Sequence, residues 1–319
     1  MKDVDTDAGT PDLPNTPDPA DAPVPADPPD PAPVAPGGAV PTGALHVVSR
    51  GSANGPTIVF LHGGSVAGWM WRSQSEALDE FHHLVPDLPG YGGSREVPWR
   101  TIVETADRVA DLIRDRAHVD EQGRPRADVV GLSLGGLVAA VLASRHPELV
   151  RSAVLTGAPL RGLGPFMAWL SRIQLRLWST ATRWRSRARH FRVPSKSMVE
   201  LVESAIGIDP RSARRVVQQV NAGIEAMLPA LAFAPVPLLG LAGARESRRI
   251  RSALGAIADA PHGTVRLVPR LHHLWIFEDP PLFTDTVRAW VAEGRVDERL
   301  EHVPASLLRP PRRRRSGRS

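Results

Sequence analysis

The stretch "DVVGLSLGGLVAA", residues 128–140, holds one serine between two apolar runs, with glycine two residues before it and two after. The run into Gly131 is β-rich, and the run from Leu134 has the apolar density of a buried helix. A strand that enters a helix through so tight a turn forces its central residue into strained backbone geometry. The side chain then stands above the sheet edge. Bulk two positions away on either side would collide, which accounts for Gly131 and Gly135. Gly136 lets the helix pack close to the sheet. The N–H of Leu134 then points, with the helix N-terminus, at any negative charge forming near Ser133 Oγ. This is a setting for a nucleophile. A glycine-rich turn with an incidental serine is the alternative, and the surroundings must decide between them.

The pattern repeats outward from that turn. Short β-rich runs occur at 44–50, 57–63, 83–88, 128–133, 152–158, 237–243 and 264–269. Helical patterns lie between most of them, at Thr101–His118, Leu134–His146, Ser247–Asp259 and Pro281–Glu293. Apolar strands alternating with helices imply a mostly parallel sheet covered on both faces, an α/β architecture. Residues 161–230 break the rhythm with helical segments alone. That is too long for a loop in a compact domain and predicts an inserted helical cap.

Two further glycine-rich loops follow strands. "TIVFLHGGS" runs from a buried strand into His62-Gly63-Gly64, and Gly64 N–H is the candidate second donor for an oxyanion. His62 reads as structural, because the backbone carries that role. "DLPGYGGS" (87–94) shapes the same rim, with Asp87 as a structural carboxylate.

With "FLHGG", "PDLPGYGGS", "GLSLGG", "GLAGARE" and "LHHLWIFEDPPLF" in that order, the chain resembles the α/β-hydrolase superfamily over residues 44–294. The resemblance implies the α/β-hydrolase fold, a helical lid at the insertion, and catalytic residues in the order nucleophile, acid, histidine. The family's histidine is followed by Glu at five residues, Pro at seven and Phe at ten. His273 meets those offsets with Glu278, Pro280 and Phe283. His272 stands where glycine is usual and is the alternative base. The acid's position, three residues after Gly243, is held by Glu246, and glutamate can replace aspartate there. Asp259 is the runner-up. A helix-N-terminal glutamate favoured by the dipole is the competing account of Glu246.

The resemblance therefore implies a capped serine hydrolase acting on a carboxylic ester, with Ser133, His273 and Glu246 as triad. Gly64 and Leu134 N–H would form the oxyanion hole. Cleavage of amides, lactones or carbon–carbon bonds and acyl transfer need the same parts. A non-catalytic protein that kept the fold is a further alternative. Serine at 133 disfavours the haloalkane dehalogenases and most epoxide hydrolases of this fold, which use aspartate there.

Composition bounds the rest. Cysteine is absent, which excludes thiol nucleophiles, disulfides and thiolate metal sites. No His-Glu-x-x-His or clustered carboxylates suggest a metal, and no cofactor is implied. Lysine occurs only at Lys2 and Lys196, so arginine carries nearly all the positive charge. Residues 1–43 form an acidic, proline-rich arm that cannot bury a core. Residues 297–319 read as a basic tail ending "RPPRRRRSGRS". The hydrolase core is expected at 44–160 and 231–296, with the cap at 161–230. Phe166, Trp169, Leu170, Ile173 and Leu177 recur at helical spacing, predicting an amphipathic lid helix in which Trp169 and Trp178 line the substrate pocket. Docking of its arginines on a membrane surface is the less favoured reading, and no nucleic-acid partner is expected. The expected partner is a small acyl substrate, and the expected location is the cytoplasm.

Overall fold

The computed structural model describes residues 44–162, 184–186, 189, 193–232 and 235–308. Eight strands form one sheet: β1 (Val47–Gly51), β2 (Thr57–Leu61), β3 (His82–Pro86), β4 (Ala127–Leu132), β5 (Val150–Thr156), β6 (Leu238–Gly243), β7 (Gly263–Val268) and β8 (Glu301–His302). Their order is β1-β3-β2-β4-β5-β6-β7-β8. The six strands from β3 to β7 in that order are parallel, while β1 and β8 run antiparallel to their neighbours at the two edges. The α/β-hydrolase fold anticipated from the sequence is thus the fold observed.

Alternation along each strand divides the core into two layers. Val59, Leu61, Val129, Ala153, Leu155 and Leu238 face one side; Ile58, Phe60, Val130, Val154, Leu239 and Leu241 face the other. Every residue of β2, β4 and β6 is buried, as expected of central parallel strands covered on both faces.

The helices used below are α1 (Arg72–Ala77), α2 (Ile102–Arg116), α3 (Leu134–Arg145), α4 (Met198–Gly207), α5 (Pro210–Ala222), α6 (Arg248–Ala253), α7 (Gly255–Ala258) and α8 (Pro280–Glu293). Helix α2 starts where Thr101 Oγ1 accepts the Glu104 N–H at 2.9 Å, and it buries Ile102, Ala106, Val109 and Ile113. Helix α3 has no polar face, and its residues from Leu134 to Ala143 are all buried. It lies between β4, β5 and α2, so burial on all sides explains a sequence without helical amphipathicity.

Two expectations need correction. The helix predicted over Ser247–Asp259 is divided at Leu254 into α6 and α7, and Gly255, which opens α7, packs so closely that a Cβ there would stand 2.4 Å from Leu308 O. Order also continues beyond residue 296, where the basic tail was expected to begin. Leu300 is buried, β8 pairs with β7, and the turn of helix Ala305–Leu308 packs Leu307 and Leu308 against the core. The arginine run of the tail obscured three apolar anchors just before it. The arm (1–43) and the extreme C-terminus (309–319) lie outside the described residues.

Within 161–230 the described residues contain helices and no strand beyond an isolated bridge between Arg161 and Gly223. Side-chain-to-backbone bonds fasten α5 to the loop before α2. Trp99 N–H donates to Ser212 Oγ at 3.0 Å, and Ile102 N–H donates to Gln219 Oε1 at 2.7 Å. Gln219 Nε2–H donates in return to Arg100 O at 2.8 Å.

Candidate active site

The loops after β2 and β4 meet where the strand order reverses, at the carboxyl ends of the parallel strands. Open α/β sheets bind ligands at that crevice. Ser133 occupies the turn from β4 into α3 with φ 54° and ψ −108°, a left-handed backbone that an L-residue adopts at a cost of about 1–3 kcal/mol. Its N–H donates to Thr156 O at 2.9 Å, which fixes the turn to the end of β5. The neighbouring glycines are required by contact. A Cβ at Gly131 would stand 2.4 Å from Gly135 O, and one at Gly135 would stand 2.1 Å from Leu61 O.

The loop after β2 lies against this turn. The Cβ direction of Gly63 ends 3.7 Å from Ser133 Cβ. His62 is fully buried and holds the loop in place. Leu88 N–H donates to its Nε2 at 2.9 Å, so the proton sits on Nδ1, which donates to Gly63 O at 2.8 Å. Burial holds the imidazole below its ordinary pKa and therefore neutral, as both bonds require. Asp87 has a matching role on the next loop. It accepts from Gly68 N–H (2.7 Å), Gly93 N–H (2.8 Å) and His46 Nδ1 (3.0 Å). Burial pushes its carboxyl up, but the His46 bond and the two amides outweigh it and hold the pKa below the ordinary value. Both residues are structural, in keeping with their sequence reading.

His273 Nδ1 lies 3.0 Å from Glu246 Oε2. The Glu246 side chain is 1% exposed, and its other oxygen accepts from Gly243 N–H at 3.1 Å. The carboxylate is therefore held at both oxygens. Asp259, the alternative acid, is exposed at the end of α7. His272 turns to a different partner: Glu278 accepts from the His272 N–H at 3.0 Å and contacts its Nδ1 at 3.0 Å. Two adjacent histidines thus hold two separate glutamates.

Ser133, Leu134, Gly64 and His273 line one cavity of about 240 Å³. Its apolar wall includes Leu201 of α4 and Val216, Val217 and Val220 of α5, with Asn221 beside them. Trp184 also lines it. Trp169 and Trp178 lie outside the described residues. Trp184 comes from the same tryptophan-rich stretch, but helical spacing alone could not single it out.

Gly157, at the end of β5, was missed by the sequence reading. It has φ 60°, and a Cβ there would stand 2.8 Å from His273 Cε1 and 3.4 Å from Glu246 Oε1. The available signal was a glycine closing a β-rich run at the sheet's carboxyl end. Among the described residues no group of three or more His, Asp or Glu could hold a metal ion, and no helix is long and apolar enough to cross a membrane.

Comparison with known proteins gives the same fold. The family profile of the alpha/beta hydrolase fold matches residues 56–205. The match spans just under half of the chain, and the chain has the α/β-hydrolase fold. It is 34% identical over 116 residues to a pimeloyl-[acyl-carrier protein] methyl ester esterase of Nitrosomonas europaea, covering 36% of this chain and 41% of that protein. The corresponding esterase of Chromobacterium violaceum is 41% identical over 109 residues, covering 34% of this chain and 39% of its own. The chain thus spans about two-fifths of the length of these curated relatives. Similar solved structures include a hydrolase from Pseudomonas aeruginosa (TM-score 0.63, 24% identity, 77% of this chain and 94% of that one). The enol-lactonase of Burkholderia xenovorans is comparable (TM-score 0.63, 23% identity, 78% and 96%). At these identities the structures establish a shared fold.

Proposed function

We propose that this protein is a serine hydrolase that cleaves a carboxylic ester through an acyl-enzyme. One observation carries the reading: Ser133, held at positive φ, shares a cavity with a histidine whose Nδ1 meets a buried glutamate. Ser133 Oγ attacks the ester carbonyl carbon while His273 Nε2 takes the hydroxyl proton. The tetrahedral oxyanion is stabilised by the N–H groups of Gly64 and Leu134. His273 then delivers the proton to the departing alcohol as the carbon–oxygen bond breaks, leaving an ester on Ser133. Water, activated by the same imidazole, releases the acid. Glu246 keeps the proton on Nδ1 and stabilises the imidazolium that forms in each step. The names of the curated relatives favour an ester among the acyl bonds that this machinery can break. The apolar wall of the cavity suits a small acyl substrate.

The test is covalent labelling with a fluorophosphonate, followed by peptide mapping, alongside a screen of p-nitrophenyl esters. Label on Ser133, lost in Ser133→Ala together with hydrolysis, is the expected result. Ser133→Ala should lower kcat by on the order of 10⁶. Undiminished turnover by that variant would exclude the mechanism, and an unlabelled, inactive wild type would favour a non-catalytic member of the fold.

A further inference from the structure

We infer that a second cavity, of about 300 Å³, is a binding site for a small organic anion with a carboxylate head and an apolar body. It lies at the seam between α4 and the core, and no residue lining it lines the cavity of Ser133. Four segments converge on it with the periodicity of their own secondary structure. His46, Val48 and Arg50 come from alternate positions at the β1 edge. Gly68, Arg72 and Ser75 lie on one face of the α1 region. Asp87, Gly92 and Arg95 come from the loop after β3. Glu200, Glu203, Ser204 and Gly207 lie on one face of α4. The cavity is therefore walled by the fold, with His46, Arg72, Arg95 and Glu203 at its exposed rim. Its volume falls at the lower end of ligand pockets.

Three features select the ligand. First, the cations outnumber the acids left free to meet them. Glu200 is paired with Arg72 at 3.0 Å, and both Asp87 oxygens already accept hydrogen bonds. Arg50 and Arg95 have no ion pair among the described residues, which leaves two guanidinium groups beside one unpaired carboxylate, that of the exposed Glu203. Guanidinium groups are well suited to the two oxygens of a carboxylate. Second, Val48, Val85, Ala67 and Trp69 provide an apolar lining. Third, the Ser75 hydroxyl is buried, with 3% of the residue exposed, and has no hydrogen-bond partner among the described residues. A buried hydroxyl without a partner costs about 1–3 kcal/mol; the Ser75 oxygen is closed to water, so a ligand oxygen recovers that cost only if the hydroxyl turns toward the cavity. The inference does not depend on the chemistry assigned to Ser133.

The experiment uses hexanoate and benzoate as probes, with hexanol as the neutral control. Ligand-observed NMR and thermal shift give the affinity for the full chain, for Arg50→Gln/Arg95→Gln, and for Val217→Phe, which obstructs the Ser133 cavity. Saturable binding of a carboxylate probe is expected in the wild type and in Val217→Phe. It should weaken at least tenfold in the arginine variant, whose unligated melting temperature serves as the folding control. Glu203→Gln should tighten binding by removing the opposing charge. Hexanol should bind more weakly than hexanoate. Binding that survives loss of both arginines, binding abolished by Val217→Phe, or no saturable binding of either acid would each overturn the assignment.

Discussion

Gly157 has no functional group, yet it sets the space in which the histidine stands. Gly157→Ala would force a positive φ on an alanine and push its methyl into the His273 ring, 2.8 Å away at Cε1. The expected outcome is a fall in kcat of at least tenfold that exceeds the loss of stability, read by steady-state kinetics beside a thermal melt. The histidine pair yields a sharper contrast. His273→Ala should approach the Ser133→Ala loss because the two act as a unit, whereas His272→Ala should retain turnover. Glu246→Gln should cost on the order of 10⁴ in kcat, because an amide misorients the ring and cannot stabilise its charged form. If His272→Ala proves inactive and His273→Ala active, the base has been misassigned by one residue. The proposed site residues could be named from the sequence because turn geometry and ordered motifs restrict them. Gly157 was not, since its requirement comes from a side chain 116 positions away, which no local pattern records.

At the level of elements, the strands were legible because burial on both faces leaves uninterrupted apolar runs bounded by glycine and proline. The helical segment within 161–230 was legible only as a break in that rhythm. Its attachment was hidden, because Gln219 bonds to residues 117 and 119 positions earlier. That attachment predicts a graded response. Gln219→Ala leaves the Ile102 N–H without its partner at the first turn of α2, and it should cost about 1–3 kcal/mol in chemical denaturation. It should also alter KM more than kcat, because α5 supplies Val216, Val217 and Val220 to the cavity wall while Ser133, His273 and Glu246 stand on other elements. An equal fall in kcat would mean that α5 positions the reacting groups as well. The close packing at Gly255 was equally illegible, since it meets Leu308, in a segment expected to belong to the tail.

For the whole molecule, pH and chain length are the informative variables. Burial lowers the His83 pKa to about 4, because imidazolium loses its water in the core. A depressed histidine pKa stabilises the fold above the unfolded value of ~6.5, and that stability is lost as pH falls toward 4. The effect is on the order of 3 kcal/mol, and buried His62 acts in the same direction. Melting temperature should therefore decline between pH 6.5 and 4, and His83→Phe should flatten that decline; an unchanged slope would contradict this account. A chain ending at Val296 should lose about 2–4 kcal/mol, since it forfeits buried Leu300, β8 and the Leu308 contact at Gly255. An unaltered unfolding midpoint would show those residues to be dispensable.

The all-buried character of α3 has a kinetic consequence. A helix with one wet face can fray while its domain remains folded, but α3 has water on none of its faces from Leu134 to Ala143. Its amides should exchange with deuterium only when the whole domain opens, placing them in the slowest class. Ser133 is the residue from which that helix starts, so its strained turn should share the lifetime of the entire fold. On heating, the rate at which the site is lost should then equal the rate of global unfolding, with no earlier phase of local inactivation.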